Sequence, residues 1–259
     1  MNKADLLKAC VLLPSYNNCG TAGQVIDSLL NAGYKVIAAN DGSTDGTDKI
    51  LEDRRDKMAA LISYPKNRGK GYALAAGLKK AREMGFLFAI SIDADGQHTL
   101  QCIDNMLEAE ARMQNEDAAG SAHSAENTII IGSRSMRGKD GGSKFANNFS
   151  NFWFTVQTGC KLPDTQSGCR IYPVRKLSGI HYITTRYEFE LEILARAAWK
   201  GMKFLPVPID AVYDQENRVS HFRPGKDFAR ISLLNIFLTI LAPIYGYPKK
   251  LISRWRNSS

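Results

Sequence analysis

Short apolar runs that stop on polar turns, each followed by a helical pattern, constrain this chain more than any other feature. Residues 9–14, 34–40, 60–64 and 86–92 read as strands. Runs of this kind, bounded by turn residues, fit strands covered on both faces, as in a parallel sheet. Helical patterns fill the gaps at 21–31, 47–57, 72–84 and 100–113, and others follow at 146–158 and at 187–201, the last of which reads as amphipathic. The alternation predicts an α/β fold with a mainly parallel sheet. Further strands are expected at 127–131, 171–172 and 204–213. The polar motifs gather at the carboxyl ends of the strands, where open α/β sheets bind ligands.

The run at 86–92 leads straight into Asp93-Ala94-Asp95-Gly96-Gln97-His98. On extended backbone Asp93 and Asp95 leave on the same side. Two carboxylates at the end of a buried strand are costly unless something positive sits between them. A hard divalent cation that also touches a substrate phosphate answers that need, since it takes one or two carboxylates and completes its shell with water and phosphate oxygen. An Asp-Gly turn with solvated acids is the other reading of the same residues.

The 259 residues suit one large domain, or one domain with a C-terminal appendage. Hydrophobic residues make up 44% and charged residues 23%, which excludes a disordered chain. Residues 1–8 are polar and the apolar run after them is short, so no signal peptide is expected. Cysteines 10, 19, 102, 160 and 169 are scattered without C-x-x-C spacing, which points to reduced thiols in a cytoplasmic compartment. The net charge is +8, and residues 200–259 carry ten Lys/Arg against four Asp/Glu, so most of the excess lies at that end. An anionic partner is expected there. Zinc-finger, RNP-type and K-homology signatures are absent, so nucleic acid is not expected. Residues 115–127 are small and polar and read as a mobile surface loop.

Taken in order, P-S-Y-N (14–17), N-D-G-S-T-D-G-T (40–47), N-R-G-K-G (67–71), D-A-D-G-Q-H (93–98), G-S-R (132–134) and Q-S-G-C-R (166–170) resemble an inverting family 2 glycosyltransferase. Within that family the resemblance is to polyprenyl-phosphate (dolichol-phosphate) mannosyl- and glucosyltransferases. It implies a GT-A fold: a Rossmann-like, mostly parallel sheet flanked by helices. It implies a nucleotide-diphosphate sugar donor and a lipid-linked acceptor, with a glycolipid or surface-polysaccharide precursor as the alternative acceptor. A non-catalytic sugar-nucleotide-binding module is the rival from another class. By resemblance, Pro14, Tyr16, Asn17, Asp41, Arg68, Lys70, Asp93, Ala94, Arg134 and Arg218 contact the donor. Asp93, Asp95 and Gln97 would hold Mg2+ or Mn2+. Asp164 matches a catalytic base, with Asp95 as the second catalytic residue, while Glu188 and Glu190 open the helix at 187–201 and could equally be favourable charges near its positive end. A phosphate acceptor is already anionic and needs little deprotonation, so Asp164 could instead position groups. Asp41 could accept from a base N–H or cap the following helix. Asn18 departs from the family, where many members carry Glu.

The resemblance covers roughly residues 9–226, so 1–226 is expected to be the catalytic domain and 227–259 an apolar helix with a basic tail. Residues 231–247 are short for a span, contain Asn235 and meet Pro243, which is expected to interrupt them. A helix lying in the membrane interface, with Lys249, Lys250, Arg254 and Arg256 meeting anionic headgroups, fits that composition. A helix packed on the domain or across a homodimer is the alternative. The expected location is the cytoplasmic face of the membrane, held peripherally or by a partner membrane protein.

Overall fold

The computed structural model of the protein describes residues 3–96, 99–118, 125–134, 141–210 and 223–256. Its strands are β1 (Ala9–Ser15), β2 (Val36–Asn40), β3 (Ala60–Ser63), β4 (Phe88–Ser91), β5 (Thr128–Arg134), β6 (Arg170–Pro173) and β7 (Lys203–Ile209). The helices through the first half are α1 (Lys3–Leu6), α2 (Ala22–Asn31), α3 (Thr47–Glu52), α4 (Lys70–Glu83) and α5 (Leu100–Ala118). They continue with α6 (Gly141–Thr158), α7 (Val174–Leu177), α8 (Phe189–Trp199), α9 (Pro224–Leu241) and α10 (Tyr247–Arg256).

The sheet runs in the order β3-β2-β1-β4-β6-β5-β7. All neighbours are parallel except β6, which lies antiparallel between β4 and β5, with Ile90 opposite Ile171 and Ser91 opposite Arg170. Alternate residues of β1 show why its sequence is apolar throughout. Val11 and Leu13 face a core with Ile26 of α2 and Met106 of α5. Cys10 and Leu12 face the other core, with Leu74 of α4 and Leu194 of α8. Both faces are covered, so no polar residue interrupts the strand.

Three sequence expectations are corrected. Residues 115–118, read as loop, continue α5; residues 119–124 lie outside the described residues. The helix around 187–201 is not amphipathic: every residue of α8 except Arg196 is buried, Glu190 and Glu192 included. Pro243 does not interrupt the last helix, because a π turn over Ala242–Gly246 absorbs it and helix runs on into α10. A π turn removes the need for the proline's missing N–H in the ordinary ladder.

That last helix packs against α6 and α8. Ile231, Leu234, Leu238 and Ala242 bury against Leu191, Ala195 and Trp199. Gln157 of α6 donates to Asn235 Oδ1 (3.1 Å), which explains the one amide in the apolar stretch. Lys250 turns inward and donates to the Thr158 carbonyl at the end of α6 (2.5 Å), a favourable place for a cation.

Candidate active site

The ends of β1 and β2 are laced together by polar side chains. Asn17, at φ 50°, accepts from Thr44 N (2.8 Å) and donates its own N–H to Ser43 Oγ (3.1 Å). Asn18 is buried; its Oδ1 accepts from Tyr16 N (3.1 Å) and its N–H donates to Thr47 Oγ1 (2.8 Å). The residue that departs from the family pattern is thus a turn former. Pro14, in β1 opposite Ala39, and Tyr16 are both partly exposed at this edge.

Asp41 follows β2 and accepts two backbone N–H groups, from Arg68 (2.7 Å) and Gly69 (2.7 Å). Its carboxyl is raised by burial, against the opposing pull of those two hydrogen bonds and the nearby Arg186 charge. It therefore anchors the loop before α4 and does not cap α3. Asp45, one residue ahead of the helix cap, accepts from Thr47 N (3.0 Å) and Oγ1 (2.6 Å). Burial pushes the Asp45 carboxyl up, but hydrogen bonds from Thr47 and Cys19 outweigh it and bring it down to about 2. Gly69 has φ 107°, and a Cβ there would come within 2.4 Å of the Thr185 carbonyl, so only glycine fits. Arg68 stays at the surface, its guanidinium 3.9 Å over the Tyr72 ring and 5.8 Å from that of Tyr64.

Lys70, the first residue of α4, points the other way. Its Nζ lies 2.7 Å from Asp93 Oδ1 and 3.0 Å from Glu190 Oε1. Burial disfavours its charge, yet the two carboxylates outweigh that and hold the ammonium well above its ordinary range. In this structure the lysine stands as a counterion between two carboxylates. Gly168 closes over the pair, since a Cβ on it would lie 2.8 Å from Asp93 Oδ2 and 3.2 Å from Lys70 Nζ. Ser91 Oγ donates to the Gly168 carbonyl (2.6 Å), which fixes that approach. Ala94 is buried, its carbonyl accepting from Thr21 Oγ1 (2.6 Å), and Asp95 is partly exposed beyond it.

Arg134, at the end of β5, forks onto Asp164: Nε to Oδ2 at 2.7 Å and Nη2 to Oδ1 at 3.0 Å. Asp164 also accepts from the backbone N–H groups of Arg134 (3.2 Å) and Gln166 (3.2 Å), and it is fully buried. Each oxygen thus takes two donors. Arg170 is also fully buried; its Nη1 donates to the Glu190 carbonyl (2.7 Å) and its Nη2 to the Thr165 carbonyl (2.9 Å). It ties the start of α8 to the 164–168 loop.

The structure therefore brings Asp41, Lys70, Asp93, Ala94, Arg134 and Asp164 to one edge of the sheet. Gln97 and Arg218 lie outside the described residues. Sequence reading gave Glu190 only a helix-dipole role and gave Arg170 none. Acids at 188, 190 and 192 in an otherwise apolar helix were the available signal that α8 carries buried charge.

Among the described residues no three His, Cys, Asp or Glu side chains stand together as a closed cage. Two hard carboxylates at a partly open edge remain, Asp93 with a side chain 30% exposed and Asp95 beside it. That set fits an ion that completes its shell with water and phosphate oxygen, as Mg2+ and Mn2+ do.

Residues 10–178 match the model of Glycosyl transferase family 2. The chain belongs to that family. This glycosyltransferase is 27% identical over 222 residues to a UDP-N-acetylglucosamine–dolichyl-phosphate N-acetylglucosaminyltransferase of Methanococcus voltae, covering 79% of this chain and 86% of the relative. It is 24% identical over 220 residues to an undecaprenyl-phosphate mannosyltransferase of Micrococcus luteus, covering 80% and 84%. Among solved structures, residues 1–349 of TarS from S. aureus superpose with a TM-score of 0.59 at 17% identity, covering 95% of this chain and 69% of that one. The last likeness establishes the GT-A-like fold of the glycosyltransferase.

Proposed function

We propose that this glycosyltransferase moves a sugar from a nucleoside-diphosphate sugar to a polyprenyl phosphate, with inversion and with Mg2+ or Mn2+ held by Asp93 and Asp95. The observation that carries the reading is Asp93 at the end of β4, roofed by Gly168 and backed by Lys70. Relatives named for dolichyl- and undecaprenyl-phosphate acceptors support the acceptor class. When bound, the ion would neutralise charge on the departing diphosphate. Pro14, Tyr16, Asn17 and Asp41 would receive base and ribose, Arg68 would add charge at that end, and Ala94 would back the sugar. Gln97 and Arg218 keep the roles that the resemblance gives them. The acceptor phosphate attacks as an anion, so Asp164 is assigned to hold Arg134 in place and not to take a proton. Transfer of labelled sugar from UDP- and GDP-sugars to undecaprenyl phosphate in vesicles tests this. Label found only as free sugar or on a soluble glycan would overturn the acceptor assignment.

The last helix supplies the lipid side of the reading. Among the described residues, Gly225–Ile252 is the one helix long and apolar enough to cross a membrane, with mean hydropathy 1.7. One face is packed on α8, however, while Leu233, Ile236, Ile240, Ile244 and Leu251 are bare on the other. A helix docked lengthwise on a folded domain fits a position along a bilayer surface better than a crossing. On α6, Phe145 and Phe152 are exposed, and the Phe149 ring lies 5.8 Å from that of Phe228 in α9, which extends the apolar surface onto α6. The enzyme is thus assigned to the inner membrane face, peripherally. Replacing Ile236 and Ile240 with Glu should weaken sedimentation with anionic vesicles at least ~10-fold, from the apolar area lost to the bilayer. The melting temperature should stay put, because both side chains are exposed. Unchanged sedimentation would remove this face from the membrane.

A further inference from the structure

We infer that Lys70 is a resident cation that holds Asp93 ready for the metal ion and prevents the site from taking that ion without a diphosphate. The inference rests on the proposed role of Asp93 as a metal ligand. Three observations carry it. The ammonium sits 2.7 Å from Asp93 Oδ1, on an oxygen that an ion would need. A second anchor, Glu190 Oε1 at 3.0 Å, keeps the lysine in place when Asp93 is shared with an ion. The lysine's backbone is fixed by its neighbours: Asp41 holds the N–H groups of Arg68 and Gly69, and Tyr72 N donates to the Thr185 carbonyl (2.8 Å).

The electrostatics follow from those contacts. Asp93 and Glu190 are tolerable together because one ammonium stands between them. That same ammonium repels an arriving divalent ion and occupies one of its ligand atoms. A bare ion is therefore held weakly. A diphosphate adds negative charge and oxygen ligands on the open side, and the balance turns in favour of binding. Lys70 is thus a positioning residue that orders binding, making the ion and the nucleotide arrive as one unit. Glu190 is its support and does not touch the donor.

Calorimetric titration of Mn2+ into the full chain tests this, with no nucleotide and with saturating UDP or GDP. Wild type should bind Mn2+ weakly alone and tightly with a diphosphate. Lys70→Met should bind Mn2+ alone at least ~10-fold more tightly, because two carboxylates then face an ion with no resident cation. Lys70→Arg should behave as wild type. Glu190→Gln, which leaves Lys70 with Asp93 as its one carboxylate, should weaken Mn2+ binding ~10-fold. A merely structural lysine would give losses in both variants, not changes of opposite sign. Should Lys70→Met fail to fold, Lys70→Gln is read in its place: tighter binding of Mn2+ alone supports the assignment, and unchanged or weaker binding overturns it. Wild type that takes Mn2+ only with a diphosphate, beside a Lys70→Met variant of unchanged or weaker Mn2+ affinity, overturns the Lys70 assignment alone. Wild type that takes no Mn2+ even with a diphosphate overturns the metal reading of Asp93, and the Lys70 assignment with it.

Discussion

Asp95→Ala is expected to lower kcat/KM for sugar transfer by about three orders of magnitude. Lewis-acid stabilisation of a leaving diphosphate is worth several kcal/mol, and each ~1.4 kcal/mol is a factor of ten in rate. Asp95 is partly exposed, so its loss should leave the melting temperature within a few degrees of wild type. Asp93→Ala should lose as much activity but with a second symptom. It strips Lys70 of its nearer carboxylate and leaves Glu190 alone to neutralise it, so stability falls as well. Steady-state kinetics over a Mn2+ series, with a thermal melt of each variant, separate the two effects. Turnover of Asp95→Ala within tenfold of wild type would remove the metal from the proposed reaction.

Asp164→Ala carries the largest expected effect on stability. The carboxylate is fully buried and accepts four hydrogen bonds, two of them from the Arg134 guanidinium. Removing one partner of a buried ion pair costs about 3–5 kcal/mol, since the other charge is left without compensation. In a chain of this size that lowers the melting temperature by about 10 °C. The double variant Arg134→Met/Asp164→Leu should recover much of that loss, as apolar replacements of a buried pair often do. A catalytic base would behave differently, losing turnover with little change in melting. Asp164→Asn with wild-type melting and a thousandfold loss of kcat would restore the base assignment.

Much of the fold was legible because it rests on local rules. The run at 9–14 is apolar at every position and that at 86–92 at every position but Ser91, as a strand covered on both sides requires. The strand-end motifs then located the site, since ligands gather where parallel strands end. Side-chain direction was less legible. Arg68 and Lys70 are two apart in one glycine-rich turn, yet one lies over Tyr72 and the other is driven into the domain. Their fates are decided by Glu190 and Asp93, which periodicity in residues 67–71 cannot register. The acids of α8 were hidden for a related reason. An apolar helix with scattered carboxylates looks amphipathic until its neighbours are known. Here Glu192 is spent on the Ile183 and Thr184 N–H groups, at 3.0 and 2.9 Å, and on Arg196, at 2.5 Å. Pro243 misled because a proline predicts a break, and the π turn is a tertiary accommodation.

The reversed strand β6 has a consequence for how the molecule comes together. It puts Gly168 beside the exit of β4, although the Ser91–Gly168 hydrogen bond joins residues 77 positions apart. Glu190, farther along the chain still, completes the charge around Lys70. Contacts of such sequence separation meet the entropy of loop closure before they contribute anything. The doubly covered half-sheet of β1, β2 and β3 can assemble from near neighbours, whereas the carboxylate edge waits for a strand to return from the far side. A chain released after residue 178 would carry every residue of the family match and still leave Lys70 with one carboxylate. The carboxylate edge is therefore expected to form late in folding, once α8 has docked.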